Sequence, residues 1–415
     1  MRTGPASAAR PVVRLAALLA LAIVAPEVPC GEPAPPFPAR RLSPSDHDAV
    51  RPALSVDGTR IAYVRLQAPE PPPDGRSAGE EIWILETASG AARRVVGPAD
   101  LSKAGLVAAK YSLLDLAWSP AGDRLAFTWF DGGGWGQVAF ADPNGEVLPL
   151  PAPVMADRWE GGVLYDLSAS QFLWDADGRS GTFVAWDEDC GSLYRAAVPP
   201  AGSWPGLPVR SVGGGGNAGA VNLPATPQPL PVPQGCRPFL LGTAGFWLYA
   251  EFEESFSQRL VVADDRGSEL EEITFPQGRP VRVRWGPPKA LEGILAEVAP
   301  APPARSRPPV AGWWHDADRR ERTLFTWARG GMREWRREPC PADCADAVAM
   351  TERLLFALEG PPREARLVAL SAPLGTPREV LPAPVEDLIA APDGRSLLAV
   401  RGEAGRRSIW ILEPR

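Results

Sequence analysis

Two histidines, His47 and His315, are all the imidazole chemistry this sequence offers, and they stand far apart in it. His315 opens "HDADRR", a cluster of residue types that elsewhere holds metals or moves protons. Carboxylates occur in close pairs, Glu251 with Glu253 and Glu188 with Asp189. Such pairs serve glycosidases, but spacing along a strand does not fix the separation that this chemistry requires. "DADG" at Asp175 and "DDRG" at Asp264 look like fragments of calcium loops, without the later bidentate glutamate. "GGGG" at Gly213 has no helix after it, so it is not a phosphate loop. A Gly-x-Ser-x-Gly elbow is missing. No catalytic residue is assigned, and neither metal nor cofactor is expected.

Binding chemistry has better candidates. Trp135, Trp159, Trp204 and Trp335 fall in or beside polar connections, where a large ring needs a reason to be exposed. Arg158 and Glu160 flank Trp159; Arg333, Glu334 and Arg336 surround Trp335. Aromatic rings among charges suit recognition of a polar ligand or a protein hot spot. Trp135, Arg158, Trp159, Glu160, Arg333 and Trp335 are therefore the candidate ligand-binding residues. The same rings could instead pack beneath the connections.

Composition restricts the partner and the compartment. The 415 residues are 45% hydrophobic and 22% charged, with 41 glycines and 49 prolines, and carry a net charge of −7. That charge argues against a nucleic-acid partner. Arg2, Arg10 and Arg14 precede the apolar run "LAALLALAIVA", Leu15 to Ala25. A run of that length suits a signal peptide over residues 1–30 better than a membrane span, and no later segment spans a bilayer. Cleavage after Cys30 would leave a short linker, 31–36, and a single domain, 37–415. The alternative, a lipid anchor on Cys30, is poorly served by Glu27-Val28-Pro29 before it. The expected location is periplasmic or secreted, and there Cys190, Cys236, Cys340 and Cys344 are disulfide candidates. "CPADC" can close a local loop, which would leave Cys190 for Cys236.

What must position these groups is a repeat. "LAWSPAGDRLAFTW", Leu116 to Trp129, sets two apolar strands about a Pro-Ala-Gly-Asp turn. Related hairpins begin at Pro52, Phe172, Pro238 and Leu388, with weaker ones at Val281 and Ala347. Their spacing averages about 56 residues, and most are followed by two further strands. The last unit stops at its third strand, while "FPARRLS", Phe37 to Ser43, resembles a fourth. The expectation is an all-β fold, a seven-bladed β-propeller closed by the N-terminal strand, with six blades as the alternative. Trp83, Trp118, Trp174, Trp285 and Trp410 fall at repeat positions and are expected in the blade cores.

"WSPAG", "SVDGTRIAY", "APDGRSLLAV" and two "IWILE" strands resemble the TolB-like, WD-repeat-like propeller family. The likeness covers about residues 37–415, and the additional N-terminal domain of TolB has no counterpart. It implies a bacterial envelope setting, and with no Gly-x-Ser-x-Gly elbow the hydrolase domain that some related propellers carry is not expected. Turns between strands one and two, and between three and four, read as short. The other connections read as long: 66–80, 98–113, 151–169, 213–235, 300–312 and 328–344. Long loops on one face of a rigid scaffold suit binding. The functional expectation is an exported, non-catalytic binding or scaffold protein whose partner is an envelope protein, a peptide or a glycan. The alternatives are a carboxylate-based glycoside hydrolase or lyase, a peptidase-related propeller lacking its catalytic domain, and a structural relic.

Overall fold

The structure, a computed structural model, describes residues 37–67, 79–108, 110–133, 135–150, 154–156, 164–166, 168–187, 190–201, 228–229, 240–243, 246–252, 258–264, 269–275, 279–286, 308–316, 318–328, 331–340, 344–370, 377–382, 384–391, 394–403 and 405–413. The expected signal peptide, linker and Cys30 lie outside them. Pro36–Arg415 form one compact unit.

Seven four-stranded antiparallel sheets account for nearly all the described strands. Sheet one is Asp48–Leu54, Arg60–Leu66, Glu81–Glu86 and Ala92–Val96; sheet two is Tyr111–Trp118, Leu125–Asp131, Gly136–Ala141 and Val147–Pro149. Sheet three is Ser168–Trp174, Ser180–Asp187, Cys190–Ala197 and Gln228–Pro229, and sheet four is Leu240–Thr243, Phe246–Phe252, Gln258–Asp264 and Glu269–Phe275. Arg279–Trp285, Val310–Asp316, Glu321–Ala328 and Gly331–Pro339 make sheet five; Val348–Met350, Leu355–Glu359, Arg366–Leu370 and Arg378–Leu381 make sheet six. Sheet seven joins Val385–Ala390, Leu397–Glu403 and Arg406–Leu412 to Ala39–Arg41, which pairs with Trp410–Leu412 at the far end of the chain. A small ribbon, Val154–Ala156 with Leu164–Asp166, sits between sheets two and three in sequence.

The first strand of each sheet lies beside the first strand of the next, and the first strand of sheet one touches sheet seven. That succession is the arrangement of a β-propeller.

The repeated turn has a physical cause. In sheet one, Ser55 and Arg60 close it through Ser55 N to Arg60 O (2.8 Å) and Gly58 N to Ser55 O (2.9 Å). Sheet two repeats both bonds with Ser119, Arg124 and Gly122, at 2.8 Å each. Gly122 needs its freedom here: its φ is +68°, where a side chain is strained, and a Cβ would meet the Arg60 guanidinium at 2.6 Å. The Ser55 hydroxyl donates to Asp57 at 2.6 Å, and Thr59 donates through both its N–H and its hydroxyl. These bonds hold the Asp57 carboxyl down at about 2.

The repeat tryptophans join one sheet to the next. Trp118, last in the first strand of sheet two, donates its indole N–H to Ala53 O of sheet one at 3.0 Å. Trp174 does the same to Ala117 O across the following seam, also at 3.0 Å. The arginine after each turn stacks on the next tryptophan, Arg60 on Trp118 and Arg124 on Trp174, at 4.9 and 5.0 Å. Arg124 is buried, and its guanidinium is satisfied by the carbonyls of Gly178, Val198 and Pro199.

Sheet five departs from the sequence reading. "VRVRWGPPKALEGILAEV" was expected to hold two paired strands; instead Arg279–Trp285 pairs with Val310–Asp316. His315 therefore stands on the second strand of sheet five, and Asp318 belongs to the turn between strands two and three. Two of the longest connections, 198–227 between strands three and four and 286–309 between strands one and two, fall on the face expected to be bare. Proline-rich stretches lack the periodicity that would locate strand ends, so the one-sided pattern of long loops does not hold.

Candidate functional site

The first strands carry a feature that the sequence reading missed. In sheets one, two, three and five each gains one extra residue at the same register: between Val50 and Ala53, Leu114 and Ala117, Ser170 and Leu173, and Val281 and Arg284. Sheet seven has a similar shift between Val385 and Asp387. In the first four, the bulge puts a residue with a polar side chain on left-handed backbone: Arg51 (φ 53°), Asp115 (φ 52°), Gln171 (φ 57°) and Arg282 (φ 47°). Each costs about 1 kcal/mol or more relative to an ordinary strand position. Bulges re-aim side chains and are common beside functional sites.

All four stand on first strands, which neighbour one another from sheet to sheet. The charges of Arg51 in sheet one and Arg284 in sheet five act on Asp115 of sheet two. Asp115 accepts a hydrogen bond from the Thr128 hydroxyl at 3.0 Å, and the Gln171 N–H donates to the same hydroxyl at 3.2 Å. Protein crowds the carboxyl on most sides, although solvent still reaches it. That confinement raises its pKa; Thr128, the Gln171 N–H and the two arginines oppose the rise without cancelling it.

Neighbouring charges at the rim are paired. Arg51 donates to Glu80 at 2.8 Å and to Leu113 O at 3.0 Å, and Glu80 also accepts from Leu113 N. Arg282 meets Asp346 at 3.2 Å, and Arg407 holds Asp48 with contacts of 2.8 and 2.9 Å. Asp115 has no contact cation among the described residues. Replacing it by asparagine should therefore raise the denaturation midpoint at neutral pH. A raised pKa means stability that is full below the unfolded value, about 3.9, and lost as pH rises through the folded one. The advantage of the Asp115→Asn variant should accordingly vanish in acid; a urea titration at several pH values checks it.

The expected ligand-binding residues do not assemble into one site. Trp335 lies within the fourth strand of sheet five, is 7% exposed, and donates to the Thr326 hydroxyl at 2.8 Å. Arg333 stacks over its ring at 4.8 Å. The segment 328–344 is thus mostly strand, and this ring is core rather than a surface for a ligand. Trp135 is half-buried against the core of sheets one and two, edge-on to Trp129. Arg158, Trp159 and Glu160 lie outside the described residues, as do Glu188, Asp189 and Glu253. Cys340 and Cys344 form a disulfide. Cys190 begins a strand of sheet three, and Cys236 lies outside the described residues.

His47 is a buried imidazole rather than a catalytic one. It shares a 2.6 Å hydrogen bond with the Tyr63 hydroxyl and packs edge-on to Trp83. Burial, with Arg65 nearby, lowers its pKa. The unfolded chain therefore takes up the proton first, so stability is full above about pH 6.5 and falls as pH drops below it. A His47→Phe variant should flatten that part of the acid limb in a thermal-melt series.

No protein-family model matches the sequence, and no curated protein matches it either. Among solved structures, the chain is similar to an oligogalacturonate lyase in complex with manganese, at TM-score 0.56 and 11% identity, covering 91% of this chain and 93% of that one. It is similar to a prolyl endopeptidase at TM-score 0.51 and 11% identity, covering 89% of this chain and 50% of that one. The chain thus spans half of the endopeptidase. A β-propeller domain of Cps50 (Swd1) from Myceliophteria thermophila also matches, at TM-score 0.49 and 14% identity, covering 91% of this chain and 99% of that one. Identities this low reflect a shared fold and carry no chemistry. Among the described residues of this chain, no three of His, Cys, Asp and Glu gather where they would hold an ion. No helix among them is long and apolar enough to cross a membrane.

Proposed function

We propose that this chain is a seven-bladed, TolB-like propeller of the bacterial envelope, with Ala39–Arg41 as the outer strand of its last blade. It is exported and acts as a non-catalytic binding module. Its ligand is engaged at the central space lined by the first strands. The observation that carries this reading is the row of matched bulges holding Arg51, Asp115, Gln171 and Arg282 on left-handed backbone. The local disulfide between Cys340 and Cys344 suits an oxidising compartment. Cys190 and Cys236 would form the second bridge there.

The competing reading is an enzyme working with two convergent carboxylates. It is less well supported, because the charged groups that act on Asp115 are arginines.

A photo-crosslinking residue at Arg282 tests the binding reading in the native envelope, with Ser89, exposed on a three-to-four turn, as control. Discrete adducts from position 282, absent from position 89, are expected. Equal labelling at both, or none at 282, would sink the proposal.

A further inference from the structure

Sheet five carries a second polar cluster, away from its first strand. Trp314 of the second strand stands opposite Thr323 of the third, and Thr323 stands opposite Arg337 of the fourth. One step nearer the turn between strands two and three, Asp316 stands opposite Glu321. Residues two apart on a strand share a face, so these five project from one side of the sheet. With Arg319 of the turn they line an open cleft of about 220 Å³. Two residues of "HDADRR", Asp316 and Arg319, thus belong to it.

The lining joins one aromatic ring to balanced charges. Trp314 is half-buried and rests on the fully buried Phe275 of sheet four, with 5.2 Å between ring centroids. Asp316 accepts from the Arg319 N–H at 3.1 Å and meets its guanidinium at 3.5 Å. Arg337 meets Glu334 at 3.3 Å. A bare cation in the cleft would face Arg319 and Arg337, and a bare anion would face Asp316 and Glu321. An apolar ligand would strip water from all four charges. A zwitterion would have to part the pairs already made. Hydroxyl groups escape this difficulty, because each donates and accepts, and paired guanidinia and carboxylates keep spare N–H and lone-pair positions. The volume lies below the about 300–1,000 Å³ usual for a drug-sized ligand and suits one small ring.

We infer that this cleft binds a single uncharged pyranose ring of a glycan. The apolar C–H face of the sugar lies on the Trp314 ring, which offers a large, rigid contact surface. The sugar hydroxyls accept from Arg319 and Arg337 and donate to Asp316 and Glu321, and the Thr323 hydroxyl serves in either sense. Hydrogen bonds to charged groups are the strong ones. The site is separate from the central one, since none of its six residues stands on a first strand.

The test is a saturation-transfer NMR titration of the full chain with the methyl β-glycosides of glucose, galactose and N-acetylglucosamine. Tetramethylammonium and acetate serve as ionic comparators. At least one glycoside should bind saturably, with Kd on the order of 1 mM, and equally well at low and high salt. Trp314→Leu keeps an apolar contact with Phe275 but removes the ring, and should weaken that glycoside about tenfold or more. Arg337→Met, at an exposed position, keeps the stem and should weaken it about fivefold or more. Thermal melts establish that the variants fold; if Trp314→Leu does not, Arg337→Met decides. Absence of glycoside binding, unchanged binding in a folded variant, a steep salt dependence, or binding of an ion alone would overturn the inference. The crosslinking result at position 282 is independent of all these outcomes, so the central-site reading is judged separately.

Discussion

Arg322→Ala is expected to destabilise the protein by about 3–5 kcal/mol, as a loss of unfolding free energy in urea. Arg322 is among the largest fully buried side chains. Its guanidinium lies 3.9 Å above the Trp313 ring and pairs with Glu338. It also donates to Ala345 O and, at 3.1 Å, to Leu358 O. Those carbonyls belong to sheet six and its approach, so one side chain ties sheets five and six together. Burial lowers its pKa, and Glu338 opposes that shift by favouring the charged form. Truncation leaves two carbonyls without their donor and a nearly buried carboxylate with only Arg336, at 3.3 Å, beside it, which is the costly way to break a buried pair. An Arg322→Met, Glu338→Leu double variant removes both charges. It should recover much of the loss; if it proves no better than Arg322→Ala, the ion-pair account fails and lost packing on Trp313 explains the destabilisation instead.

Trp118→Ala should cost about 3–5 kcal/mol by the same measurement. The ring is 7% exposed and lies in the core shared by sheets one and two. Removing it opens a cavity at the seam, leaves Ala53 O without the indole N–H, and strips Arg60 of its stacking surface. Trp118→Phe keeps part of the ring and should lose clearly less. Equal losses in the two variants would mean that the hydrogen bond, rather than the buried area, dominates.

The difference between these seams and the central site explains what was legible in the sequence. Ser-x-x-Gly turns and repeat tryptophans could be read because each combines a fixed backbone need with a fixed spacing, as at Gly122 and Trp118. Seven four-stranded sheets followed from counting those hairpins. Trp335 escapes such a reading because an outer strand faces solvent along much of its length. "MREWRRE" therefore looks like a polar connection, although its tryptophan is core. The partner of Arg279–Trp285 is hidden because a long proline-bearing connection separates it from that strand. The central polar residues left a fainter trace. Asp115, Gln171 and Arg282 each precede a repeat tryptophan by three positions, Trp118, Trp174 and Trp285. Without the bulge, that spacing sets their side chains on the wrong side of the strand, since one inserted residue reverses the alternation.

The pairing of Ala39–Arg41 with Trp410–Leu412 has a consequence for how the molecule comes into being. The strand synthesised early in this domain finds its neighbour among residues 410–412, so sheet seven stays incomplete until those have been made. During that interval Ala39–Arg41 waits without its native partner, and contacts of such sequence separation form slowly. A circular permutant joining 413 to 37 and opening the turn at Ser89 would turn this last-formed pairing into a local one. It should fold faster with little change in its final stability, moving the kinetic bottleneck while leaving the architecture alone.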